Sequence, residues 1–479
     1  MEGKRVVAIG GGLPGLSAAY WLTRQGVEVE LLERSADIGG LARTIERDGF
    51  RYDLGGYRFF SRSPEVQNLL KQLLGDDLVT VRSSAKIFFR GRLYDYPVHV
   101  RDILAGFGAQ GTALALWSLA GGRLGSAVRR GEPQNLEEWL LQEYGETLFR
   151  AFFKSYQEKI WGIPCHRVAA DLASQRLRGM PLTTAVRQAL LPARFDPPPS
   201  HVFLYPRLGI GQLTERFAAG IDQRNRIRRE AAVTEVRHRR GRVESVVYRN
   251  GTDLDHETTG TDFISSIPLP RLLHLLEPRP PADVLASSRG LLFRDLITVV
   301  IIANKERATR EPWIYVPDSE IGFARVLEPK NWSPAMAPAD KTSLVVEYYC
   351  FETDGIWTLP EADLVNRTIQ DLADRMGIVK RDEVVSGYVA ARIKKVYPIY
   401  EIGYRDHLVR IQRYLRGITN LQTIGRGGMF KYYNVTHLVL SGIRAAENVF
   451  GAGHDLSGVA PSGNGAAHRS LVAHLREAE

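Results

Sequence analysis

The fold of this chain is decided by its opening stretch, Lys4-Arg5-Val6-Val7-Ala8-Ile9-Gly10-Gly11-Gly12-Leu13-Pro14-Gly15-Leu16-Ser17-Ala18-Ala19. An apolar, β-branched run leads into glycines with G-x-G-x-x-G spacing, and apolar residues then recur at helical intervals until Gly26. A second apolar run, residues 27–32, ends on Glu33. A strand, a glycine-rich turn, a helix and a second strand with a terminal acid are together typical of a dinucleotide-binding βαβ unit.

Each part of this unit has a physical reason. Gly10 permits the tight turn, Gly12 lets the backbone approach a pyrophosphate, and Gly15 allows the helix to pack closely on the sheet. The helix N-terminus supplies free N–H groups and the positive end of a dipole. Glu33 can accept hydrogen bonds from a ribose diol, which a purely structural glycine turn would not explain.

The composition is that of a soluble globular protein. The chain has 479 residues, 44% of them hydrophobic and 24% charged, which is enough for two or three domains. Its two cysteines, Cys165 and Cys350, are far apart and in no metal-ligand spacing, so neither a disulfide framework nor a metal site is expected. No apolar signal region precedes the first strand, so we expect a cytoplasmic protein.

The positive charge is partly local. The formal net charge is +9, and seven arginines crowd one short segment: Arg226, Arg228, Arg229, Arg237, Arg239, Arg240 and Arg242. Because no stacking aromatics are interleaved with them, we expect a solvated hairpin face and no nucleic-acid partner. The overall excess of base suits an anionic substrate or an anionic membrane surface.

Two glycine pairs follow the fingerprint closely, Gly39-Gly40 and Gly55-Gly56. They allow the backbone to wrap tightly around a large flat ligand. Arg43 is placed to neutralise a pyrophosphate.

At this point residues 1–60 resemble the FAD-binding end of the flavin amine oxidase, protoporphyrinogen oxidase and UDP-galactopyranose mutase superfamily. Its second motif, a glycine pair followed by arginine and a hydroxyl residue, is matched by Gly39-Gly40, Arg43 and Thr44. The mutase branch commonly has histidine after the second glycine pair, where this chain has Tyr57. Tyrosine can donate a hydrogen bond but does not exchange a proton near neutral pH, which argues against an acid–base role there.

The last informative block, residues 420–434, resembles the mutase branch most closely. Gly425-Arg426 is followed by Lys431-Tyr432-Tyr433 with the spacing of the mutase signature. In that family the arginine lies by the flavin, the tyrosines bind diphosphate oxygens, and the N-terminus of the next helix faces the flavin pyrimidine ring. An aspartate usual in the mutases is Asn434 here, which removes one negative charge near the reaction centre. The catalytic residues implied are Arg426, Tyr432, Asn434 and Tyr57.

The resemblance implies FAD as the cofactor. Neither cysteine lies in a flavin-facing motif, so non-covalent binding is expected. The implied cofactor-binding residues are Gly10, Gly12, Leu13, Pro14, Gly15, Glu33, Arg34, Gly40, Leu41, Arg43, Gly55, Gly56, Tyr57, Val233, Gly425, Arg426, Asn434 and Val435.

The helical segment before residue 200 carries the implied substrate residues. A lysine-x-tryptophan motif followed by paired arginines belongs to the substrate domain of the mutase branch, so Trp161 would stack on a nucleotide-sugar and Arg176 or Arg178 would bind its diphosphate. The alternative is a core tryptophan and solvated arginines. The implied substrate-binding residues are Trp161, Arg176, Arg178, Tyr432 and Tyr433.

Residues 103–122 form an uncharged run about as long as a membrane span. The run contains many glycines and a polar Gln110, which favour a buried helical pair. A membrane-contacting surface and a true span remain as alternatives.

We therefore expect an α/β protein with a discontinuous Rossmann-type FAD-binding domain, a helical insertion and a mixed β-sheet substrate domain. The FAD-binding parts are residues 1–95, 201–270 and 395–479, the insertion is 96–200, and the substrate domain is 271–394. Pro197-Pro198-Pro199 would be a stiff connector that closes the insertion.

Two classes of function compete, and the fold does not choose between them. One is an oxidoreductase that moves a hydride from an anionic or glycosyl small molecule to the flavin. The other is a mutase-like isomerase that uses reduced FAD on a nucleotide-sugar without net oxidation. Because Asn434 and Tyr57 depart from the mutase pattern, net oxidation is favoured. An FAD-stabilised scaffold without activity is a third alternative. The sequence names neither the substrate, the electron acceptor nor the oligomeric state.

Overall fold

The structure is a computed structural model that describes residues 3–59, 63–82, 84–96, 107–108, 110–115, 117–118, 133–172, 202–221, 226–251 and 254–456. Its strands, in chain order, are β1 Arg5–Ile9, β2 Glu28–Leu32, β3 Thr44–Arg47, β4 Phe50–Asp53, β5 Leu78–Arg82, β6 Lys86–Phe89, β7 Arg92–Asp95, β8 Val202–Pro206, β9 Arg226–Arg228, β10 Ala231–Arg239, β11 Arg242–Asn250, β12 Asp255–Thr259, β13 Asp262–Ser265, β14 Leu276–Glu277, β15 Phe293–Ala303, β16 Trp313–Tyr315, β17 Arg325–Leu327, β18 Thr342–Cys350, β19 Val384–Pro398 and β20 Leu421–Thr423.

The helices are described in the same order. The α-helices are α1 Leu13–Arg24, α2 Pro64–Leu74, α3 Leu136–Leu148, α4 Ser155–Trp161, α5 Gly211–Ala219, α6 Leu269–Leu275, α7 Ala282–Arg289, α8 Gly355–Thr358, α9 Glu361–Gln370, α10 Tyr404–Arg416, α11 Gly425–Met429 and α12 Val435–Val449. Short π-helical segments, Phe149–Lys154 and Asp371–Arg375, adjoin α3 and α9, and 3₁₀ turns occur at Gly75–Asp77, Cys165–Arg167, Pro329–Asn331, Pro334–Met336 and Arg381–Glu383.

A five-stranded parallel sheet in the order β20-β13-β1-β2-β9 is the centre of the nucleotide-binding part. Its strands come from both ends and the middle of the chain, which confirms the discontinuous Rossmann-type arrangement. The strands β1 and β2 are apolar along most of their length because helices cover both faces of a parallel sheet. The two helices α1 and α12 lie in close contact, since a Cβ atom on Gly442 would come within 2.4 Å of the Pro14 carbonyl oxygen.

Four of the seven clustered arginines lie on an exposed hairpin, as the sequence predicts, whereas Arg226, Arg228 and Arg229 precede it, and Arg228 on β9 pairs with the buried Glu30. Strands β10 and β11 pair antiparallel, and Arg240 and Gly241 both have positive φ, 52° and 73°, as a tight hairpin turn requires. Several of its arginines are in ion pairs with carboxylates, including Arg237 with Glu257 at 3.0 Å.

A seven-stranded sheet in the order β19-β15-β18-β17-β16-β6-β7 is the second large layer. All eleven residues of β15 are buried. Strands β6 and β7 belong to this sheet, with Ile314 next to Lys86, although the sequence analysis grouped residues 86–95 with the nucleotide-binding part. These strands are only four residues long, and nothing in so short a pattern says which sheet will pair with them.

The helical insertion packs on the second sheet through aromatic rings. Phe152 makes edge-to-face contacts with Phe89 and Tyr94 at ring distances of 5.3 and 5.2 Å. In the part of the uncharged run that is described, Ala115 is buried but Trp117 is 79% exposed. Among the described residues, no helix combines the length and apolarity needed to cross a membrane. The rest of that run, Arg176, Arg178 and the proline-rich connector lie outside the described residues.

Candidate functional site

Contacts within the protein require glycine at two positions of the turn after β1. Gly10 has φ of 101°, and a Cβ atom there would lie 2.4 Å from the Ser266 hydroxyl oxygen. A Cβ atom on Gly15 would lie only 2.0 Å from the Gly10 carbonyl oxygen. Both glycines are therefore required for β1 and α1 to pack together.

Gly12 is different, because the protein itself does not need a glycine there. Its φ is −72°, and the nearest protein atom to an added Cβ would be the Pro14 Cδ at 3.8 Å. No side chain caps the start of α1, and although Pro14 has no N–H, the N–H of Gly15 lies in the first turn, where no earlier turn of the helix supplies an acceptor. The open surface at Gly12 and this N–H group fit the pyrophosphate of a dinucleotide.

Glu33 lies directly beside this turn. Its carboxylate accepts hydrogen bonds from the Gly11 N–H at 2.7 Å and the Ser35 N–H at 2.9 Å, and its side chain is buried. A carboxylate offers more acceptor positions than these two bonds use, so it can also accept from a ribose. The Glu33 carbonyl oxygen accepts from the Ala231 N–H, which places the start of β10, and with it the buried Val233, beside the acid.

The second glycine motif is held to the turn by backbone bonds. The Gly39 N–H donates to the Gly11 carbonyl at 2.7 Å. Arg43 donates to the Gly40 carbonyl and forms a partly exposed ion pair with Asp37 at 3.1 Å. Nearby, Arg34 is exposed and Leu41 is half-buried.

Asp53, buried beneath the second motif, joins it to the middle of the chain. Its carboxylate accepts from the Thr44 hydroxyl at 2.6 Å, the Tyr205 hydroxyl at 2.7 Å and the Ile210 N–H at 3.0 Å. Burial raises the pKa of Asp53 to about 6, although these three bonds oppose the shift. The carboxylate thus fixes three segments of the discontinuous domain.

The C-terminal segment closes the site from the other side. Gly425 has φ of 76°, and a Cβ atom there would lie 2.6 Å from Pro14 Cγ, so α11 meets the start of α1. Asn434 caps α12: its side-chain oxygen accepts from the His437 N–H at 3.1 Å and lies 2.7 Å from His437 Nδ1. The Asn434 side chain is exposed and acts as a helix cap, while Val435 is buried.

Arg426 lies at the centre of a group of tyrosines. Its guanidinium donates to the Tyr433 carbonyl at 2.7 and 3.1 Å and lies 4.8 Å from the Tyr397 ring and 5.4 Å from the Tyr432 ring. The rings of Tyr397 and Tyr432 stack at 5.5 Å. Tyr57 is an electrostatic neighbour of Arg426 and Tyr397. Burial raises the pKa of Tyr57 well above its usual value, which agrees with the expectation that it does not exchange a proton near neutral pH.

A buried ion pair next to this group was missed by the sequence analysis. Arg325 Nε donates to Glu347 Oε2 at 2.6 Å, and the Tyr349 hydroxyl also bonds to that oxygen at 2.9 Å. The other oxygen, Glu347 Oε1, has no donor among the described residues, and a Cβ atom on Gly55 would lie 3.8 Å from it. An unpaired buried carboxylate oxygen is costly, so this atom fits a ligand that presents an N–H or O–H group beside the second glycine pair. The available signal was a lone charge inside the apolar run Leu344-Val345-Val346-Glu347.

Two implied substrate residues are placed differently from expectation. Trp161 is fully buried, its Nε1 donates to Gln157, and its ring packs edge-to-face behind Tyr432 at 5.9 Å, so it has no free face to stack on a substrate. Tyr433 is also buried, and its hydroxyl donates to the Leu456 carbonyl at 3.3 Å. Tyr433 packs in a different apolar cluster from Tyr432, so of these two tyrosine rings only that of Tyr432 joins the Arg426 group.

Comparisons with known proteins identify a family and several relatives of this chain. The family model described as flavin containing amine oxidoreductase matches residues 13–450. The probable UDP-galactopyranose mutase of Klebsiella pneumoniae is 25% identical over 225 residues, which are 46% of this chain and 54% of that protein. The coproporphyrinogen III oxidase of Mycobacterium leprae (strain TN) is 27% identical over 320 residues, 60% of this chain and 65% of that protein. The matched part of this chain thus spans about half to two thirds of these curated relatives.

Solved structures resemble the whole chain. A crystal structure of reduced UDP-galactopyranose mutase has a TM-score of 0.82 at 21% identity, covering 95% of this chain and 97% of that one. Wild-type putrescine oxidase bound to putrescine has a TM-score of 0.62 at 16% identity, covering 94% of this chain and 99% of that one. At these identities the likeness establishes the fold.

Proposed function

Since the chain belongs to the family of flavin containing amine oxidoreductases, we propose that it is an FAD-dependent oxidoreductase that acts on an anionic or glycosyl small molecule. The family makes it a flavoprotein of the amine oxidase-like superfamily. Net oxidation and the class of substrate are our inference from the site.

The choice of FAD is supported by the nucleotide end of the site. The surface at Gly12, left open by the protein, lies beside Glu33, which retains acceptor capacity for a ribose. FMN ends at its first phosphate, so it would place no pyrophosphate at Gly12 and no ribose at Glu33. We expect FAD rather than FMN to be released on heat denaturation, as chromatography of the supernatant would show.

The observation that carries the choice of oxidation is the pair of departures from the mutase pattern. Burial raises the pKa of Tyr57 well above its usual value, and Asn434 carries no charge and caps α12. When bound, the flavin would accept a hydride from a substrate C–H bond and pass the electrons to dioxygen or another acceptor.

The chain's own residues would bind and orient the substrate. Arg426 supplies a positive charge that the Tyr433 carbonyl holds in place beside the rings of Tyr397 and Tyr432. Glu347 Oε1 supplies an acceptor, which favours a substrate or cofactor group with a hydrogen to donate. A small molecule that combines negative charge with hydroxyl groups matches both.

A second candidate is a mutase-like isomerase acting on a nucleotide-sugar with reduced FAD. It is favoured by the spacing from Arg426 to Tyr432 and by the similarity to the Klebsiella mutase. In this reading the same arginine and tyrosine would bind the diphosphate.

Anaerobic mixing separates the two candidates. The oxidised protein is mixed with each member of a panel of nucleotide-sugars and sugar acids while the flavin absorbance band is followed. Bleaching by one compound, with an oxidised product found by mass spectrometry, is the result we expect. An isomerised product that forms only after dithionite reduction, without bleaching by any compound, would replace our proposal with the isomerase.

A further inference from the structure

Lys159, at the end of α4, is held by an unusual set of acceptors. Its ammonium lies 2.8 Å from the Val316 carbonyl, 2.7 Å from that of Asp318, 2.8 Å from that of Ile321 and 3.1 Å from that of Phe323. All four belong to the loop between β16 and β17. An ammonium has three N–H groups, so the loop offers it more acceptors than it can use at once.

The backbone of residues 159 and 160 is held by a buried cation, the guanidinium of Arg294. Arg294, on β15, donates from Nε to the Ile160 carbonyl at 3.1 Å and from Nη2 to the Lys159 carbonyl at 3.3 Å. Gly162 follows with φ of 70°, and a Cβ atom there would lie 2.4 Å from the Arg294 guanidinium. The turn from 159 to 162 is therefore bound to the seven-stranded sheet by its side chain and by its backbone.

Both the turn from 159 to 162 and the loop that binds Lys159 lead to residues of the candidate site. Trp161 packs behind Tyr432, while the loop that receives Lys159 leads within two residues from Phe323 to Arg325, the partner of Glu347. The loop is itself fixed there, because the Ala324 N–H donates to the Glu347 carbonyl at 3.0 Å. The Arg426 group forms one wall of the candidate site and the Arg325–Glu347 pair forms the other. Lys159 thus joins these two walls.

We propose that Lys159 is a positioning residue that sets the separation between Tyr432, backed by Trp161, and the Arg325–Glu347 pair. It acts without touching the substrate. The inference rests on the proposed function, because that function makes these two walls the substrate-binding surfaces.

Lys330 provides a matched control within the chain. Its ammonium is bound in the same manner, to the Pro338 carbonyl at 2.7 Å, the Ala339 carbonyl at 2.7 Å and the Lys341 carbonyl at 2.8 Å. It closes its own loop and does not join the walls of the site. Loss of either ammonium removes the shared donor of several main-chain carbonyls, so a purely structural role would give similar effects for both.

The test compares Lys159→Met with Lys330→Met in the flavin-loaded protein. Hydrogen exchange is measured at the amides of 160–162 and 325–327, and the affinity for uridine 5′-diphosphate is measured by calorimetry. We expect Lys159→Met to speed exchange at both segments at least tenfold and to weaken binding at least tenfold, with Lys330→Met changing neither. Unchanged exchange in Lys159→Met, or equal loosening of these amides in both variants, overturns the proposal.

Hydrogen exchange tests the positioning role of Lys159, whereas binding of uridine diphosphate tests the class of substrate. If the wild type does not bind uridine diphosphate, the nucleotide-sugar reading fails, but the exchange comparison still decides the role of Lys159. Chemical restoration of the ammonium at position 159 distinguishes loss of the charge from poor folding of the variant. Treatment of Lys159→Cys with 2-bromoethylamine forms an S–C bond as bromide leaves and restores an ammonium at almost the same position.

This chemical rescue is made selective by replacing the two native cysteines, Cys165 and Cys350, with serine in every protein compared and by alkylating before refolding. We expect aminoethylation to restore exchange protection and affinity, whereas capping with iodoacetamide does not. Equal recovery with both reagents would show that bulk alone suffices and would overturn the positioning role of the charge.

Discussion

Gly12 and Gly15 show how one glycine can serve a ligand while its neighbour serves the fold. An added Cβ at Gly15 would collide with a backbone oxygen at 2.0 Å, whereas at Gly12 the nearest protein atom is 3.8 Å away. The G-x-G-x-x-G pattern predicts separate roles for these glycines, and the two distances distinguish the glycine required for packing from the one that leaves space for a ligand.

We therefore expect Gly12→Ala to fold and to lose cofactor. The extra methyl group occupies space left for the pyrophosphate, so flavin affinity should fall at least tenfold. The cofactor-free variant should lose about 1 kcal/mol of unfolding free energy or less, the usual cost of alanine at a helix N-cap. Flavin content and urea unfolding of the apoprotein measure the two effects.

Gly15→Ala is the contrasting variant, and its main defect should be in unfolding free energy. Full flavin occupancy in Gly12→Ala would mean that the cofactor does not lie against this turn.

Arg426→Ala should nearly abolish turnover while leaving flavin content close to normal. A single charged group aimed at developing charge contributes about 2–4 kcal/mol to the barrier, or about 30- to 900-fold in kcat. Arg444→Ala is the control, since Arg444, on α12, is also partly buried but pairs with Glu65 of α2 at 2.7 Å. It should lower stability and keep turnover per flavin. Wild-type turnover in Arg426→Ala would remove this residue from the reaction.

Asp53 should make stability depend on pH in an unusual direction. Its pKa is about 6 in the folded protein against 3.8 ordinarily, so between these values the unfolded chain loses the proton first. Stability is then fully present below about pH 4 and falls as the pH rises through 6, by about 3 kcal/mol in total. Asp53→Asn cannot titrate and keeps an acceptor for the Ile210 N–H.

Urea unfolding of both proteins from pH 4 to pH 7 measures this effect. We expect the wild type to lose stability relative to Asp53→Asn over that range. A constant difference between the two curves would show that the buried carboxylate has an ordinary pKa.

Sequence reasoning reached some of the site residues and not others for a physical reason. Gly12 and Glu33 belong to a local pattern in which spacing fixes geometry. Arg325 and Glu347 lie on different strands, and only the sheet register that puts them side by side makes them a pair. Tyr433 was assigned to the substrate because the resemblance could not tell in which apolar cluster its ring would pack.

At the scale of elements, the N-terminus of α12 concentrates several features of the site. Asn434 is its cap, Val435 is its first residue, and the helix buries twelve of its fifteen residues. The cap therefore fixes the direction in which a long, buried helix begins.

Asn434→Ala should lower the unfolding free energy of the flavin-free protein by about 1 kcal/mol, the typical cost of losing a capping side chain. Asn135→Ala is the matched control, because Asn135 caps α3 through a 2.9 Å bond to the Glu138 N–H. The two should cost similar stability, and only Asn434→Ala should alter the flavin spectrum. Equal spectra in both variants would place the N-terminus of α12 away from the flavin.

Long elements were easier to predict than short ones. The strands β15 and β18 are recognisable as apolar, β-branched runs, and their buried positions leave little choice of structure. The short strands β6 and β7 have no such signature, and they joined a sheet that the sequence analysis did not assign to them. Pairing of short strands depends on which edge is free nearby, and that is a property of the assembled sheet.

At the scale of the whole molecule, the three-part division follows from one fact about parallel sheets. Each parallel connection must cross over the sheet, so the chain can insert other material within a crossover without disturbing the strands. The seven-stranded sheet and the helical insertion are such material. The discontinuity of the nucleotide-binding sheet was predictable for this reason, whereas the contacts between the parts, such as Lys159 with the β16–β17 loop, were not.

The pairing of α1 with α12 also sets an order of events in time. About 410 residues separate the two helices, so at about 5–20 residues per second a ribosome makes α12 roughly 20–80 seconds after α1. Through that interval the apolar surface of α1 that α12 covers in the folded protein lacks this cover. We expect a coding sequence slowed between residues 60 and 420 to give less soluble protein, and extra chaperone to restore it. An unchanged soluble yield would mean that α1 finds temporary cover within the nascent chain.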